Sequence, residues 1–221
     1  MKTALKFTGL LIFMMLTSGV QGQYIARDWE ERDRWMDVER IFELAGIAPG
    51  SRVADLGCHE GYLTVRLAKK VGPEGKVYAV DINEKRLKTL KEHAKAQNLD
   101  NVETVPGETD DPKLPAGALD VVVIMDTYHE MTEYKAILAH VKNAITPGGR
   151  IVVIEKMKSH VRDASRKRQT EAHTLAMRYV KEELEEAGFS IVKAVEDFGN
   201  WENDASKQIW LLVASPDTPS R

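Results

Sequence analysis

The sequence predicts an α/β protein built on a doubly wound, mostly parallel sheet, and three observations carry this prediction. First, short apolar runs alternate with stretches of helical period through residues 51–155. Second, the run at residues 119–125 is almost wholly apolar, as expected of a parallel strand buried on both faces. Third, 221 residues that are 43% hydrophobic suffice for one domain with a large core.

The first part of the chain alternates predicted helices and strands. Helices are expected at residues 28–45, 61–71, 84–97 and 133–145, and strands at residues 53–56, 77–80, 102–105 and 119–125. The first helix is ended by Gly46. In the second, Leu63, Leu67 and Val71 recur on one face. Strands that alternate with helices in this way pair in parallel through right-handed crossovers.

The pattern changes after the turn at residues 147–149. Beyond it the sequence predicts a strand at 151–154, an irregular basic stretch at 156–170, a helix at 174–187, and strands at 190–195 and 208–214. The connection between the final two strands is too short for a crossover helix, so we expect them to pair antiparallel. The prediction is a sheet of seven strands whose last strand is antiparallel.

Residues 1–22 have the layout of a secretory signal peptide. Lys2 and Lys6 form a basic start, an apolar run follows at residues 10–16, and small or polar residues lead to an expected cleavage site near Gly22. The apolar run is too short to span a membrane comfortably. We therefore expect a periplasmic or secreted protein without stable membrane association after cleavage, or a cytoplasmic one if this segment is not a functional signal.

Composition narrows the range of partners. The net charge is −3, with no strong basic excess of the kind that phosphate backbones require, so no nucleic-acid partner is expected. Cys58 is the only cysteine, which rules out an intramolecular disulfide. The sequence leaves the oligomeric state open between a monomer and a homodimer.

The most informative segment is Arg52–Gly61, with the sequence RVADLGCHEG. It predicts a buried strand, a turn marked by glycines and the start of a helix, and the next strand ends in an acid at Asp81. Glycines allow close approach of a ligand to the backbone, a helix N-terminus offers free N–H groups, and an acid at a strand tip can bind ribose. These features predict a site for a nucleoside cofactor.

These segments, in this order, resemble those of class I S-adenosylmethionine-dependent methyltransferases. The resemblance spans residues 29–214 and is carried by residues 53–61, 80–81, 120–126, 138–145, 147–155 and 182–189. It implies a Rossmann-like sheet of seven strands with helices on both faces, S-adenosylmethionine as the cofactor, and methyl transfer to a small-molecule acceptor. The implied methyltransferase domain covers residues 51–215, after an N-terminal helix and lid at 23–50 and before a disordered tail at 216–221.

The resemblance also implies roles for residues of the glycine turn and the second strand. Asp55 is expected to accept from the ammonium group of the cofactor, and Asp81 from both ribose hydroxyls. Gly57 and Gly61 provide close approach and a tight turn. His59 stands where the family usually has a glycine, which implies an altered fit at the methionine end of the cofactor.

Further cofactor contacts are expected after the third and fourth strands. Either Asp110 or Asp111 is expected to accept from the adenine amino group, although Asp111 before a proline can instead cap a turn. Asp126, at the tip of the fourth strand, is placed beside the cofactor. Asn83 is either a flank of the adenine or a helix N-cap.

The loop after the fourth strand, which lines the methyl-transfer site in the family, supplies the candidate catalytic residues. His129 has an unperturbed pKa near neutrality and can take a proton from a hydroxyl or thiol. Tyr128 is a candidate for orienting the substrate, and His173 is a second candidate base. The alternative is that His129 and Glu130 cap the next helix.

No metal is expected. Asp126 and Glu155 end adjacent strands, as do acids that hold Mg²⁺ in some small-molecule O-methyltransferases, but those enzymes also need an Asp-Asn pair where this chain has Glu155-Lys156. A lysine is a poor neighbour for a cation. Residues 156–168 hold six Lys or Arg and one Asp, and form either a solvated lid or an anion-accepting rim over the substrate pocket.

Two other functions are each compatible with part of the sequence. One is a non-catalytic protein that binds the same cofactor, which His59 and the export signal both favour because the cofactor is made in the cytoplasm. The other is a nicotinamide-dependent oxidoreductase. The spacing of the glycines does not match Gly-x-Gly-x-x-Gly, which disfavours it.

Overall fold

The computed structural model describes residues 28–217. The expected signal peptide and most of the expected tail lie outside the described residues. The chain divides into two compact units, Met1–Asp37 and Val38–Arg221. In the first unit the described residues form one short helix, α1, at residues 28–33. No helix within residues 28–217 is long and apolar enough to cross a membrane.

The second unit contains a seven-stranded sheet with the strand order β3-β2-β1-β4-β5-β7-β6. The strands are β1 (Arg52–Leu56), β2 (Lys76–Asp81), β3 (Val102–Pro106), β4 (Leu119–Met125), β5 (Ile145–Lys158), β6 (Phe189–Asn200) and β7 (Lys207–Pro216). β1 to β5 pair in parallel, and β7 runs antiparallel to both β5 and β6. The predicted fold class is confirmed, including the antiparallel strand.

Helices flank this sheet and connect its strands. They are α2 (Val38–Ala45), α3 (Tyr62–Val71), α4 (Glu84–Ala96), α5 (Tyr134–Ala144), α6 (Arg166–Glu171) and α7 (Met177–Glu186). α5 and α7 bury apolar faces in one cluster with the sheet, in which Leu138 and Leu184 are fully buried. Ser165 caps α6 by accepting from the backbone N–H of Arg168.

Several stretches differ from the sequence prediction. β5 begins at Ile145 and so includes the turn expected at 147–149, α6 forms within the stretch expected to be irregular, and β6 continues to Asn200 instead of ending at 195. The helix expected at residues 28–45 is interrupted at 34–37, and α2 begins directly after Asp37, a residue type that favours helix starts. β5 continues to Lys158 because residues 156–158 pair with residues 207–209 of β7, so the irregular stretch begins later than predicted. β7 extends to Pro216, where the tail was expected to begin.

The parallel strands bring the functional loops together. β1 and β4 are adjacent in the sheet and almost wholly buried. In parallel strands, the carboxyl ends lie at one edge, and ligands of such folds bind outside that edge. The loops that follow β1, β2 and β4 therefore meet there, which places residues 57–61, 81–83 and 126–132 around one region, next to residues 155–156 of β5.

Candidate functional site

The turn after β1 is shaped by two glycines with positive φ. Gly57 has φ +80°, and its N–H donates to the carbonyl of Val80 at 2.8 Å. Gly61 has φ +95° and occupies the N-cap position of α3. A Cβ at residue 57 would lie 2.3 Å from Cγ2 of Thr127. Only glycine fits at this position, because both the backbone conformation and the neighbouring side chain exclude a larger residue.

His59 adopts a left-handed conformation, with φ +51°. This is a backbone conformation that glycine adopts without cost and that histidine adopts more readily than most residues. The backbone N–H of His59 donates to Oδ2 of Asp81 at 2.9 Å. The turn therefore keeps the local shape that a glycine would give it, while adding an imidazole beside the site.

Asp81 is fixed at the tip of β2 and is only 7% exposed. Its Oδ1 accepts from the backbone N–H of Asn83 at 2.8 Å, in addition to the bond from His59. A carboxylate has about four acceptor positions, so two remain for other donors such as ribose hydroxyls. Asn83 caps α4, since its side chain accepts from the N–H groups of Lys85 and Arg86. The N-cap alternative for Asn83 is the one that the structure shows.

A cavity opens between the glycine turn and the loops after β2, β3 and β4. Its lining combines the turn, the acid and the methyl-site loop: Leu56, Gly57, Val80, Asp81, Ile82, Gly107, Glu108, Thr109, Thr127, Glu130, Met131, Thr132 and Ile137. Ile82, which is 65% exposed, offers an apolar surface next to Asp81. An acid beside an exposed apolar side chain suits a ribose attached to a flat base.

Asp110 and Asp111 do not line this cavity. The residues of their loop that do line it are 107–109. Asp110 is exposed. Asp111 accepts from the backbone N–H of Lys113 at 2.8 Å and from its ammonium group at 2.9 Å. These hydrogen bonds lower the pKa of Asp111. The turn-capping alternative for Asp111 is therefore realised.

Asp55 lies one residue before the cavity lining and is almost completely buried. Its Oδ2 accepts from the hydroxyl of Thr64 at 2.6 Å, which ties the end of β1 to the first turn of α3. The expected contact between Asp55 and the ammonium group of the cofactor stays a prediction.

Tyr128 is fully buried, and its hydroxyl donates to Oε2 of Glu183 at 2.9 Å. Burial and the charge of Glu183 raise the pKa of Tyr128. Glu183 also accepts from Nε of Arg166 at 2.5 Å. In this arrangement the hydroxyl of Tyr128 anchors α7 to the loop after β4 and does not face the cavity. The proposed substrate contact of Tyr128 remains untested.

His129 is held by Glu155, which is completely buried at the end of β5. Nδ1 of His129 lies 2.9 Å from both carboxylate oxygens, and its backbone N–H donates to Oε1 at 3.1 Å. Burial alone would lower the pKa of His129, but the hydrogen bond and charge of Glu155 outweigh it and raise that pKa. Because a carboxylate accepts, the geometry assigns a proton to Nδ1, so that in the neutral imidazole the lone pair lies on Nε2.

His173 lies across from His129, and Glu130 lies between the two. The rings of the two histidines meet edge to face with centroids 5.9 Å apart. Nδ1 of His173 is 3.2 Å from Oε1 of Glu130, and Nε2 of His129 is 3.6 Å from the same oxygen. The structure thus brings both predicted base candidates together at the edge of the cavity that Glu130 lines.

Asp126 forms an ion pair with Lys156 and has φ +54°. The ammonium group of Lys156 also lies 4.7 Å from the ring centroid of Trp201. Asp126 is not part of the cavity lining. Its predicted contact with the cofactor stays a prediction, while the structure assigns its carboxylate to Lys156.

Several basic side chains of the segment 156–168 contact other parts of the fold. Besides Lys156, the ammonium group of Lys158 donates to the carbonyl of Ala172 at 2.6 Å, and Arg162 donates to Oε1 of Gln208 at 2.9 Å. Arg166 pairs with Glu183. Four of its six basic side chains are therefore engaged with other parts of the fold, as expected of structural charges and not of an open anion-binding rim.

Sequence reasoning missed several residues of the site. Ile82 stands as an apolar residue between a strand-ending acid and a helix cap, which is a local signal that a pocket-facing side chain is present. Thr127 packs against Gly57, and Glu155 orients His129 across 26 residues of sequence. No local sequence pattern predicts such contacts between residues that are distant in the chain.

Comparisons with known proteins point in one direction. A family profile described as a methyltransferase domain matches residues 47–201. A solved structure of a SAM-dependent methyltransferase from Aquifex aeolicus is 27% identical, with a TM-score of 0.69 over 80% of this chain and 88% of that chain.

Two curated relatives are similar over part of their length. The demethylmenaquinone methyltransferase of Geobacillus stearothermophilus is 32% identical over 115 residues, which are 52% of this chain and 49% of the relative. The ubiquinone/menaquinone biosynthesis C-methyltransferase UbiE of Ectopseudomonas mendocina (strain ymp) is 33% identical over 114 residues, 51% of this chain and 44% of the relative. The chain spans about half the length of the curated relatives it matches.

Proposed function

Since this chain belongs to the family of S-adenosylmethionine-dependent methyltransferases, we propose that it methylates a small-molecule acceptor held beside His129, Glu130 and His173. The observation that carries the proposal is the cavity that joins Gly57 and Asp81 to Glu130. One end of this cavity suits a nucleoside, and the other borders the two histidines.

The residues present fit the cofactor. Asp81 retains acceptor positions for two ribose hydroxyls, because only two hydrogen bonds to its carboxylate come from the backbone. Ile82 gives the adenine an apolar surface. The turn at Gly57 and the N-terminus of α3 present backbone groups where the methionine part would lie.

When bound, S-adenosylmethionine supplies a methyl group already activated by a positive sulfur. The protein then has to align the acceptor with that methyl group and remove the proton of the acceptor, so positioning supplies most of the rate. Glu155 and its hydrogen bonds hold His129 in one orientation at the acceptor end. A fixed ring that directs Nε2 toward Glu130, at the edge of the cavity, is suited to this task.

A small-molecule acceptor is supported by the relatives. They are named as methyltransferases of demethylmenaquinone and of ubiquinone and menaquinone biosynthesis. Because the match covers only about half of each relative, their acceptor is not carried over to this chain. The acceptor is left as a small molecule with a nucleophilic oxygen, sulfur, nitrogen or carbon.

Calorimetric titration of the full chain with S-adenosylmethionine and S-adenosylhomocysteine tests the proposal. We expect dissociation constants on the order of micromolar. Asp81→Ala should weaken binding by roughly 100-fold, because it removes two charge-assisted hydrogen bonds. The matched control is Asp110→Ala, which removes an exposed acid outside the cavity and should leave the affinity unchanged.

Absence of binding by folded protein would refute the proposed function. Binding of both compounds without methyl transfer to any member of a panel of phenols, thiols, amines and quinols would favour the rival, a non-catalytic cofactor-binding protein. Equal losses in Asp81→Ala and Asp110→Ala would show that the cofactor lies elsewhere.

A further inference from the structure

We propose that His129, Glu130 and His173 form a binding site for a transition-metal ion, of which Zn²⁺ is the preferred occupant, at the acceptor end of the cavity. The three side chains each offer one ligand atom, and these atoms all lie within 4.8 Å of one another. The site deepens the proposed function, since it would bind the acceptor in the same cavity.

Two of the three separations between the ligand atoms are close to those of a tetrahedral ion, and the third is below 4.8 Å. Zinc binds nitrogen and oxygen at about 2.0–2.2 Å, so neighbouring ligands of a tetrahedron lie roughly 3.4 Å apart. Oε1 of Glu130 is 3.6 Å from Nε2 of His129 and 3.2 Å from Nδ1 of His173. An ion can therefore enter with small movements of two exposed side chains.

Glu155 prepares His129 for this role. Its buried carboxylate accepts hydrogen bonds from Nδ1–H of His129 at 2.9 Å, which directs Nε2 toward Glu130. A carboxylate that accepts from the outer nitrogen of a ligating histidine is the usual support of protein metal sites, where it fixes the ring and raises its basicity.

Lys156 was the reason for expecting no metal from the sequence, but its ammonium group does not lie among the three proposed ligands. Its ammonium group pairs with Asp126 and lies over the ring of Trp201. A second set of possible ligands, Asp126, His129 and Glu155, is close enough in space. It carries no proposal because Lys156 already neutralises Asp126 and Glu155 holds Nδ1 of His129.

The ligand set and its exposure define the ion and its use. Two imidazoles and one carboxylate favour zinc and its transition-metal neighbours over Mg²⁺ and Ca²⁺, which prefer oxygen ligands alone. The side chains of Glu130 and His173 are 60% and 69% exposed, whereas that of His129 is 2% exposed. Three ligands on one side leave positions open toward the cavity.

An acceptor with a hydroxyl or thiol group can take an open position. Coordination lowers the pKa of such a group, so its proton passes to water and the oxygen or sulfur stays as an anion beside the methyl site. The inferred acceptor class is thus a small molecule with a metal-binding hydroxyl or thiol. In this arrangement His129 acts as a ligand, and the ion replaces a direct proton transfer to the imidazole.

The test uses the untagged full chain, freed of metal by a chelator and dialysis. We expect calorimetric titration with ZnCl₂ to show one ion per chain with a dissociation constant of about micromolar or tighter, and MgCl₂ to show no comparable binding. Co²⁺ should give the visible absorption of a tetrahedral or five-coordinate site. Glu130→Gln and His173→Asn should each weaken zinc binding by roughly 100-fold, and Glu155→Gln by about 10–100-fold.

Asparagine is chosen at residue 173 because His173 has φ +52°, a conformation that asparagine tolerates. His160→Asn, at an exposed histidine after β5, is the matched control and should bind zinc as the unaltered chain does. Thermal unfolding checks that each variant is folded, and Glu130→Gln changes only an exposed side chain. Zinc binding that survives both Glu130→Gln and His173→Asn, or no zinc binding at all, would overturn the proposal.

Titration of the same metal-free protein with S-adenosylmethionine separates this inference from the proposed function. Cofactor binding without zinc binding refutes the metal site and leaves the proposed function standing. Zinc binding at these residues without cofactor binding supports the metal site and refutes the proposed function.

Discussion

The two ends of the cavity are built by different means. At the cofactor end the contacts are made by backbone groups: Gly57 turns with positive φ, and the N–H groups of His59 and Asn83, 22 and 2 residues away in the chain, hold Asp81. Backbone shape of this kind leaves a direct trace in the sequence, because it requires glycines and a strand-ending acid at fixed spacing.

At the acceptor end the contacts join one side chain to another instead of a backbone group to a side chain. His129 and Glu155 are separated by 26 residues, and Tyr128 and Glu183 by 55. The first pair depends on the register of the sheet and the second on where α7 packs, so no local sequence motif predicts either of them. We therefore expect the cofactor end to lose its shape when the backbone conformation changes, whereas the acceptor end should lose function gradually as pairs of interacting side chains are removed.

The largest effect is expected from Gly57→Ala. The new Cβ would lie 2.3 Å from Cγ2 of Thr127, and the alanine would have to adopt the φ of +80° that Gly57 has. Overpacking costs about 1–3 kcal/mol and a left-handed alanine about 1–2 kcal/mol, so the free energy of unfolding should fall by roughly 3 kcal/mol. Denaturant unfolding measures this loss.

Gly50→Ala is the control, because Gly50 has a similar φ of +85° with open space around it. It should lose only the conformational part, about 1–2 kcal/mol. If the two variants lose the same stability, the contact with Thr127 does not shape the turn, and the contrast between the two ends is weakened.

An intermediate effect is expected from Tyr128→Phe. The change removes the hydrogen bond from a buried hydroxyl to the carboxylate of Glu183, which leaves that carboxylate with Arg166. A hydrogen bond to a charged group contributes about 1.5–3 kcal/mol, so stability should fall by that amount while cofactor affinity stays the same. Denaturant unfolding and calorimetry measure the two quantities.

Tyr179→Phe serves for comparison, since its hydroxyl donates to a neutral carbonyl, that of Ala164, at 3.2 Å. It should lose only about 1 kcal/mol. A Tyr128→Phe variant with full stability but a much lower rate of methyl transfer would instead support the catalytic role that the sequence suggested for Tyr128.

The smallest effect is expected from His59→Gly. Glycine relieves the left-handed strain, worth about 1–2 kcal/mol, but its unfolded chain is more flexible, which costs about 0.5–1 kcal/mol. Stability should change by less than about 1 kcal/mol, and the affinity for S-adenosylmethionine by no more than a few-fold. A tenfold or larger loss of affinity would show that the imidazole itself contacts the cofactor.

The sequence was informative for the fold because the fold depends on local periodicity. Five of the expected strands end within two residues of their structural counterparts, and the antiparallel pairing followed from the length of one connection. The main misses were the ends of β5 and β6, which are fixed by pairing with β7, and the break before Val38. These features depend on strand partners or on helix capping, which the periodicity of hydrophobic residues does not reveal.

For the site the outcome was divided in the same way. Gly57 and Asp81 were placed at the cavity as expected, because a motif carries them. Asp110 and Asp111 were predicted from their place after the third strand, and the structure puts them outside the cavity lining. The partners of Tyr128 and His129 could not be inferred, since a buried glutamate on a distant element carries no sequence signal of its own.

The position of β7 has a consequence for how the protein is made. β7 lies between β5 and β6, although it follows both in the chain. A ribosome must therefore release residues 207–216 before β5 gains its neighbour on that side, and until then the nascent chain presents an open, apolar strand edge. Folding of the sheet is completed only after translation of this segment. Until then the exposed edge of β5 is a surface that a chaperone can protect from aggregation.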